Sequence, residues 1–178
     1  MGEELQKRQE QMGPFLAATN RQDYEASLAE IDRLTQLDES YAESANRLRF
    51  QAAAMCGRDD LIQQRLEELW NEYSGSEWWA PEVDTLAHGR GLSNASYLLG
   101  IKIAERGMAN LPAKLRQVRP LQLNTLALLY YLSGDRGRAI ELEREAIAEC
   151  ERSPVGPWYK PGYERTLERF EKNLFKNS

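Results

Sequence analysis

Cysteine and histidine are nearly missing from this chain. Only Cys56, Cys150 and His88 stand among its 178 residues. Two cysteines make neither a metal knuckle nor a disulfide framework. A lone imidazole has no companion at metal-ligand or nucleophile-base spacing. His88 reads instead as the C-terminus of a short helix from about Glu82 to Ala87, where a protonated ring favours the negative end of the helix dipole. Long apolar runs are missing too. The longest, Leu126 to Leu132, is far below the ~18 residues that span a bilayer, and the polar start Met-Gly-Glu-Glu-Leu-Gln-Lys-Arg is no secretory signal. The sequence predicts no membrane insertion, and a cytoplasmic location if the chain is complete. Nor is there an excess of positive charge. Lys plus Arg number 23 against 28 Asp plus Glu, a net −5, which gives no global pull toward nucleic acid or anionic lipid.

β-Branched residues are equally scarce. Val, Ile and Thr number 3, 6 and 5, while Leu and Ala number 24 and 19. Straight-chain residues and Ala keep their rotamer freedom in a helix, whereas β-branched side chains crowd the preceding turn. The composition predicts an all-α protein.

The helices are legible as pairs. Leu123, Leu126, Ala127 and Tyr130 fall on one helical face. Gly134 then permits a left-handed cap and Asp135 can accept the next helix's free N–H groups. Ala139, Leu142, Ala146 and Ile147 rebuild the stripe, so the two helices fold back antiparallel. Asp23-Tyr24 opens an earlier helix with Leu28, Ile31 and Leu34 inward, and Tyr41 through Met55 forms the next. Gly57 breaks it, Asp59 or Asp60 caps its successor, and Leu61, Ile62, Leu66, Leu69 and Tyr73 supply that helix's stripe. Asp23 and Gly57, both turn positions, lie 34 residues apart, the period of stacked two-helix units. In the middle, Ser74-Gly75-Ser76 reads as a turn and Glu82 to Ala87 as a short helix ended by Gly89-Arg90-Gly91. Ser93 or Asn94 caps a helix reaching Met108, in which Gly100, Ala104 and Gly107 allow a close neighbour. Pro112 and Pro120 bracket a basic connector, 154–162 reads as a Pro/Gly/aromatic loop, and 163–175 as a capping helix.

Leu126-Ala127, Tyr130, Gly134-Asp135, Ala139 and Ala146 resemble the hydrophobic, small and turn positions of tetratricopeptide repeats. Leu123 replaces that family's usual Trp, Glu143 its usual second-helix aromatic, and the closing Pro arrives late, at Pro154. The stretch from Asp23-Tyr24-Glu25-Ala26 to Tyr41-Ala42-Glu43 resembles a second unit, and Gly100, Ala104, Gly107 and Pro112 part of a third. The resemblance covers about 14–150 of one domain, 1–178, and implies a right-handed superhelix of antiparallel hairpins. "NTLALLYYLSGDRGRAIELEREAI" is also similar to helical segments appended to bacterial thioredoxin-like proteins, although no Cys-x-x-Cys is present.

By that resemblance, the first helix of each pair lines a concave groove holding a peptide or a partner's helix. Asn46, Phe50, Asn124, Leu128 and Tyr131 are then the partner-binding residues. Basic residues that clamp a C-terminal carboxylate in some members are replaced here by Leu121 and Asn124. The expected function is a soluble, non-catalytic protein-interaction scaffold with no cofactor, metal or nucleic acid. The alternative is an accessory helical domain of a larger, thioredoxin-like enzyme. Homodimerisation through the last helix or the cluster of Trp70, Tyr73, Trp78 and Trp79 is a further expectation. Cys56 reads as a small buried hydrophobe, and Cys150 as a thiol whose pKa Glu149 and Glu151 raise. Glu67-Glu68 and Glu141, Glu143 and Glu145 read as solvated charge. So do the cations between Lys102 and Arg119.

Overall fold

A computed structural model describes residues 2–72, 81–152 and 156–174. Among these residues the secondary structure is all helical, with nine α-helices and one 3-10 segment. They are α1 (Gly2–Asn20), α2 (Tyr24–Leu37), α3 (Glu39–Met55), α4 (Asp59–Glu72), α5 (Pro81–Leu86), α6 (Asn94–Ala109), α7 (Arg119–Leu132), α8 (Arg136–Cys150) and α9 (Gly156–Glu171), with the 3-10 segment at Ala113–Val118. None is long and apolar enough to cross a membrane.

One turn recurs between paired helices. Gly134 takes φ +97°, its N–H bonds the Tyr131 carbonyl at 3.1 Å, and the Asp135 N–H reaches back to Tyr130 at 2.9 Å. This left-handed cap satisfies carbonyls that the end of α7 leaves open. Asp135 then starts the next helix: its Oδ1 accepts the Arg138 N–H at 2.9 Å. The same sequence of bonds closes α3 at Gly57 (φ +71°), with Arg58 N–H on Ala53 at 2.9 Å. It also closes α1 at Gln22 (φ 59°), with Asp23 N–H on Ala18 at 3.1 Å. Asp23 in turn caps α2 by accepting from Ala26 N–H at 3.0 Å.

These turns place helices in two alternating sets. α1 packs on α2, α3 on α4, α5 on α6 and α7 on α8, while each odd-numbered helix also touches the next, through α1–α3, α3–α5, α5–α7 and α7–α9. On the other side α4 reaches α6, but α2 and α4 make no close backbone approach. A larger core runs from α3 to α9, and a smaller one joins Phe15, Ile31, Leu34, Ala45, Leu48 and Ala52. Gly100 shows why small residues sit in α6. A Cβ there would lie 2.4 Å from Leu86 Cδ1 and 3.7 Å from Leu129 Cδ1, so a larger residue would force the Leu86 side chain to shift where α5, α6 and α7 meet.

Several sequence expectations shift. The stretch up to Asn20, left without a helix, forms α1 across Pro14. The loop expected over 154–162 is helical from Gly156, so α9 begins earlier than 163, and Pro161 lies inside it. Neither aspartate expected to cap α4 serves as its preceding cap: Asp59 is the first helical residue, and its carboxylate holds α6 instead. Glu143 is the clearest reversal. It is fully buried, not solvated. The turn at 74–76, the residues Tyr73, Trp78 and Trp79 of the aromatic cluster, and Pro154 lie outside the described residues.

Candidate binding pocket

Where α2 and α4 stand apart, α3 shows through. A pocket of about 290 Å³ opens there, lined by Tyr24 of α2, Asn46, Arg49, Phe50 and Ala53 of α3, and Leu61, Gln64, Arg65 and Glu68 of α4. The α3 residues recur at spacings of three and four, as do those of α4, so each helix gives one stripe to the wall. Asn46 and Phe50, two of the five residues expected to bind a partner, come together here.

The pocket has an apolar base and a polar rim. Phe50, 5% exposed, packs into the larger core with Ala53, and the half-buried Tyr24 and Leu61 pack against it. Burial raises the Tyr24 pKa, although the Arg58 guanidinium, 5.0 Å from the ring centroid, works against the shift. At the rim, Arg49 donates to Asn46 Oδ1 at 3.5 Å and lies 3.5 Å from an Asp32 carboxylate oxygen. Gln64 Nε2 donates to Glu68 Oε1 at 3.1 Å. Arg65 bridges Glu68 at 3.3 Å, Glu72 at 3.6 Å and Glu82 at 3.5 Å. Such exposed pairs contribute little stability, and their long side chains can rearrange around an incoming group. No nucleophile-base pair stands among these lining residues.

The other three expected residues sit elsewhere, since α3 makes no close approach to α7. Asn124 is half-buried, and its Nδ2 donates to both Glu143 carboxylate oxygens, at 2.9 and 3.0 Å. Tyr131 is 9% exposed, stacks on Phe170 at 4.6 Å and donates its hydroxyl to Asn173 Oδ1 at 2.7 Å. These two side chains pack α7 against α8 and α9. Leu128 is half-buried against the larger core.

Around Glu143 lies a second polar group. Burial pushes its carboxyl up to about 7, with the Asn124 hydrogen bond pulling the other way. Nearby, burial raises Tyr163, whose hydroxyl is buried without a hydrogen-bond partner. Cys150 is raised chiefly by burial and then by Glu143, rather than by its sequence neighbours Glu149 and Glu151. Cys56 is half-buried, and burial raises it too. His88 is exposed beyond α5. Lys114 and Arg116 are exposed as the connector reading expected, but Arg106 packs 3.2 Å from the Trp70 ring centroid and Arg119 pairs with Glu145 and Glu149.

Sequence reasoning missed Tyr24, Arg49, Ala53, Leu61, Gln64, Arg65 and Glu68 as pocket residues. The available signal was the spacing Leu61, Gln64, Arg65, Glu68, one helical face on which an apolar residue leads into polar ones. Compared with family models, curated proteins and solved structures, the chain matches none.

Proposed function

We propose that this chain is a non-catalytic interaction scaffold of stacked helical hairpins, tetratricopeptide-like in arrangement, that docks a segment of a partner protein. The contacts between successive odd-numbered helices and the repeated left-handed turn before Asp23 and Asp135 support the stacking. Stacking of this kind leaves grooves between units that a partner's side chains can fill.

The observation that carries the reading is the pocket between α2, α3 and α4, in which Asn46 and Phe50 meet a lined cavity of about 290 Å³. Phe50, Ala53, Leu61 and Tyr24 supply apolar contact, while Asn46 and Gln64 offer amides to a peptide backbone. On this reading α3 provides the surface, and of the α7 residues only Leu128 remains a candidate contact. Asn124 and Tyr131 position helices.

A displayed peptide library panned against the full chain tests it. Asn46→Trp fills the pocket from its rim, and the enriched peptides should lose binding by about tenfold or more while helical circular dichroism stays unchanged. Equal binding to wild type and Asn46→Trp rejects the pocket.

The accessory-domain reading has one observation in its favour. Trp158 is 85% exposed and Tyr159 44% exposed at the start of α9, an aromatic edge that a further domain would cover. Comparing tryptophan emission of wild type and Trp158→Phe reports that ring's surroundings; a water-exposed signature in the protein purified from its source rejects this cover.

A further inference from the structure

α9 lies along α8 in one register. Its buried residues Gly156, Tyr163 and Phe170 stand seven apart, and so do Arg136, Glu143 and Cys150 of α8. Seven residues are close to two helical turns, so each set forms a single stripe. Contacts fix both ends of the match. Arg136 Nε donates to the Phe170 carbonyl at 2.7 Å, and a Cβ at Gly156 would run into the Cys150 carbonyl. The two helices are therefore antiparallel, and the middle of one stripe, Glu143, falls opposite the middle of the other, Tyr163. Among the described elements, α8 packs on α7 and α9 alone, and α9 on α7 and α8 alone.

The groups that meet at this midpoint satisfy one another poorly. Glu143 is 0% exposed, its hydrogen bonds come from the Asn124 amide alone, and the buried Tyr163 hydroxyl has no partner. The surrounding cations are committed elsewhere. Arg136 serves the Phe170 and Glu171 carbonyls, Arg144 pairs with Glu171 at 2.7 Å, and Lys160 with Glu151 at 2.8 Å. From α7, Arg119 pairs with Glu145 and Glu149, and the Tyr131 hydroxyl is given to Asn173. The titratable groups that face Glu143 are Cys150 and Tyr163, both raised chiefly by burial and so uncharged at neutral pH. A carboxylate placed here without a cation is costly, and two things relieve it: a proton, or water.

From this register we infer that α9 is a proton-dependent latch: it closes over the protonated Glu143 carboxyl, and loss of that proton favours an opened α9 that lets water reach the carboxylate. The proton passes to solvent on opening and is taken back on closing. With the closed carboxyl at about 7 and an ordinary value of 4.5 when open, closure is firmest below 4.5. It weakens as pH rises through about 7 and levels off above that value. Between pH 6 and pH 8 the ratio of open to closed α9 should rise about tenfold.

Cysteine alkylation of the full chain tests it. Cys150 is 2% exposed beneath the start of α9, while the half-buried Cys56 ends α3 and serves as an internal reference. Iodoacetamide labelling at the two pH values, read by mass spectrometry, gives the ratio of Cys150 to Cys56 rates. That ratio should rise about tenfold more in wild type than in Glu143→Gln, which has no proton to lose. At pH 8 the Cys150 rate should be nearly flat in low urea, because opening one helix exposes little surface. Equal rises in wild type and Glu143→Gln overturn the latch. A Cys150 rate that climbs in urea with the slope of global unfolding overturns it too, since α9 then does not open by itself.

Discussion

Replacing Glu143 by Gln should stabilise this protein at pH 8 and leave its stability nearly flat across neutrality. Glu143 is completely buried where α8 meets α7 and α9, and Asn124 is its hydrogen-bond donor. Its carboxyl stands at about 7 against an ordinary 4.5. A raised folded pKa means that the folded state holds a proton which the unfolded chain has lost. The slope of stability with pH is then negative between the two values. The favourable protonated state is fully present below 4.5 and is lost as pH rises through about 7. At about 1.4 kcal/mol per pH unit, that difference amounts to roughly 3 kcal/mol, a large fraction of a domain's total stability. The amide introduced by Glu143→Gln keeps the shape and an acceptor for Asn124 without a charge to desolvate. Urea unfolding at pH 5 and pH 8 measures both slopes. Wild type should lose about 2.5 kcal/mol more than Glu143→Gln between the two, because pH 5 already lies above the unfolded value. Parallel losses, or a Glu143 carboxyl that titrates near 4.5 by 13C NMR, would refute the reasoning.

Three other perturbations probe how the helices are joined. Asp59 accepts from Ser93 N–H at 3.0 Å, Ser96 Oγ at 2.6 Å and Gln63 Nε2 at 2.7 Å, tying α4 to the start of α6. Asp59→Ala should cost about 2 kcal/mol in urea unfolding, and Asp59→Asn less. Burial works to raise the Asp59 pKa, but hydrogen bonds from Ser96, Ser93 and Gln63 outweigh it and leave it lowered from 3.8. Its stabilisation is present above that value and is lost only as pH falls through the lowered folded pKa, so this loss belongs to acid, opposite in sign to that of Glu143. Gly134→Ala meets no neighbouring atom but must hold φ +97°, so the melting temperature should fall by an amount equivalent to about 1 kcal/mol. Arg136 donates Nε to the Phe170 carbonyl at 2.7 Å and Nη2 to the Glu171 carbonyl, closing the end of α9. Arg136→Gln should speed hydrogen exchange in α9 by about fivefold and leave α3 unchanged; uniform acceleration would show that α9 does not open by itself.

The residues expected to bind a partner divide according to where the structure places them. Asn46 and Phe50, which the repeat resemblance implied, both line the pocket. Asn124 and Tyr131 came from the same resemblance, yet the partners that occupy them, Glu143 and Asn173, lie 19 and 42 positions away in the chain. Spacing along a helix assigns a face but not the neighbour opposite it. Glu143 escaped for the same reason. Glutamate is normally solvated, and the packing of other helices around α8 removes this one from water.

The amino-acid sequence by itself determined the helical class, the apolar stripes and the turns at Gly57 and Gly134, because each depends on local sterics and on hydrogen bonds a few residues long. Tertiary structure alone decided that α2 and α4 part to open a pocket, that Asp59 reaches from α4 to α6, and that a carboxylate is buried at position 143. Those outcomes turn on which helix surfaces meet, and packing between distant segments is a property of the assembled volume rather than of any window of residues.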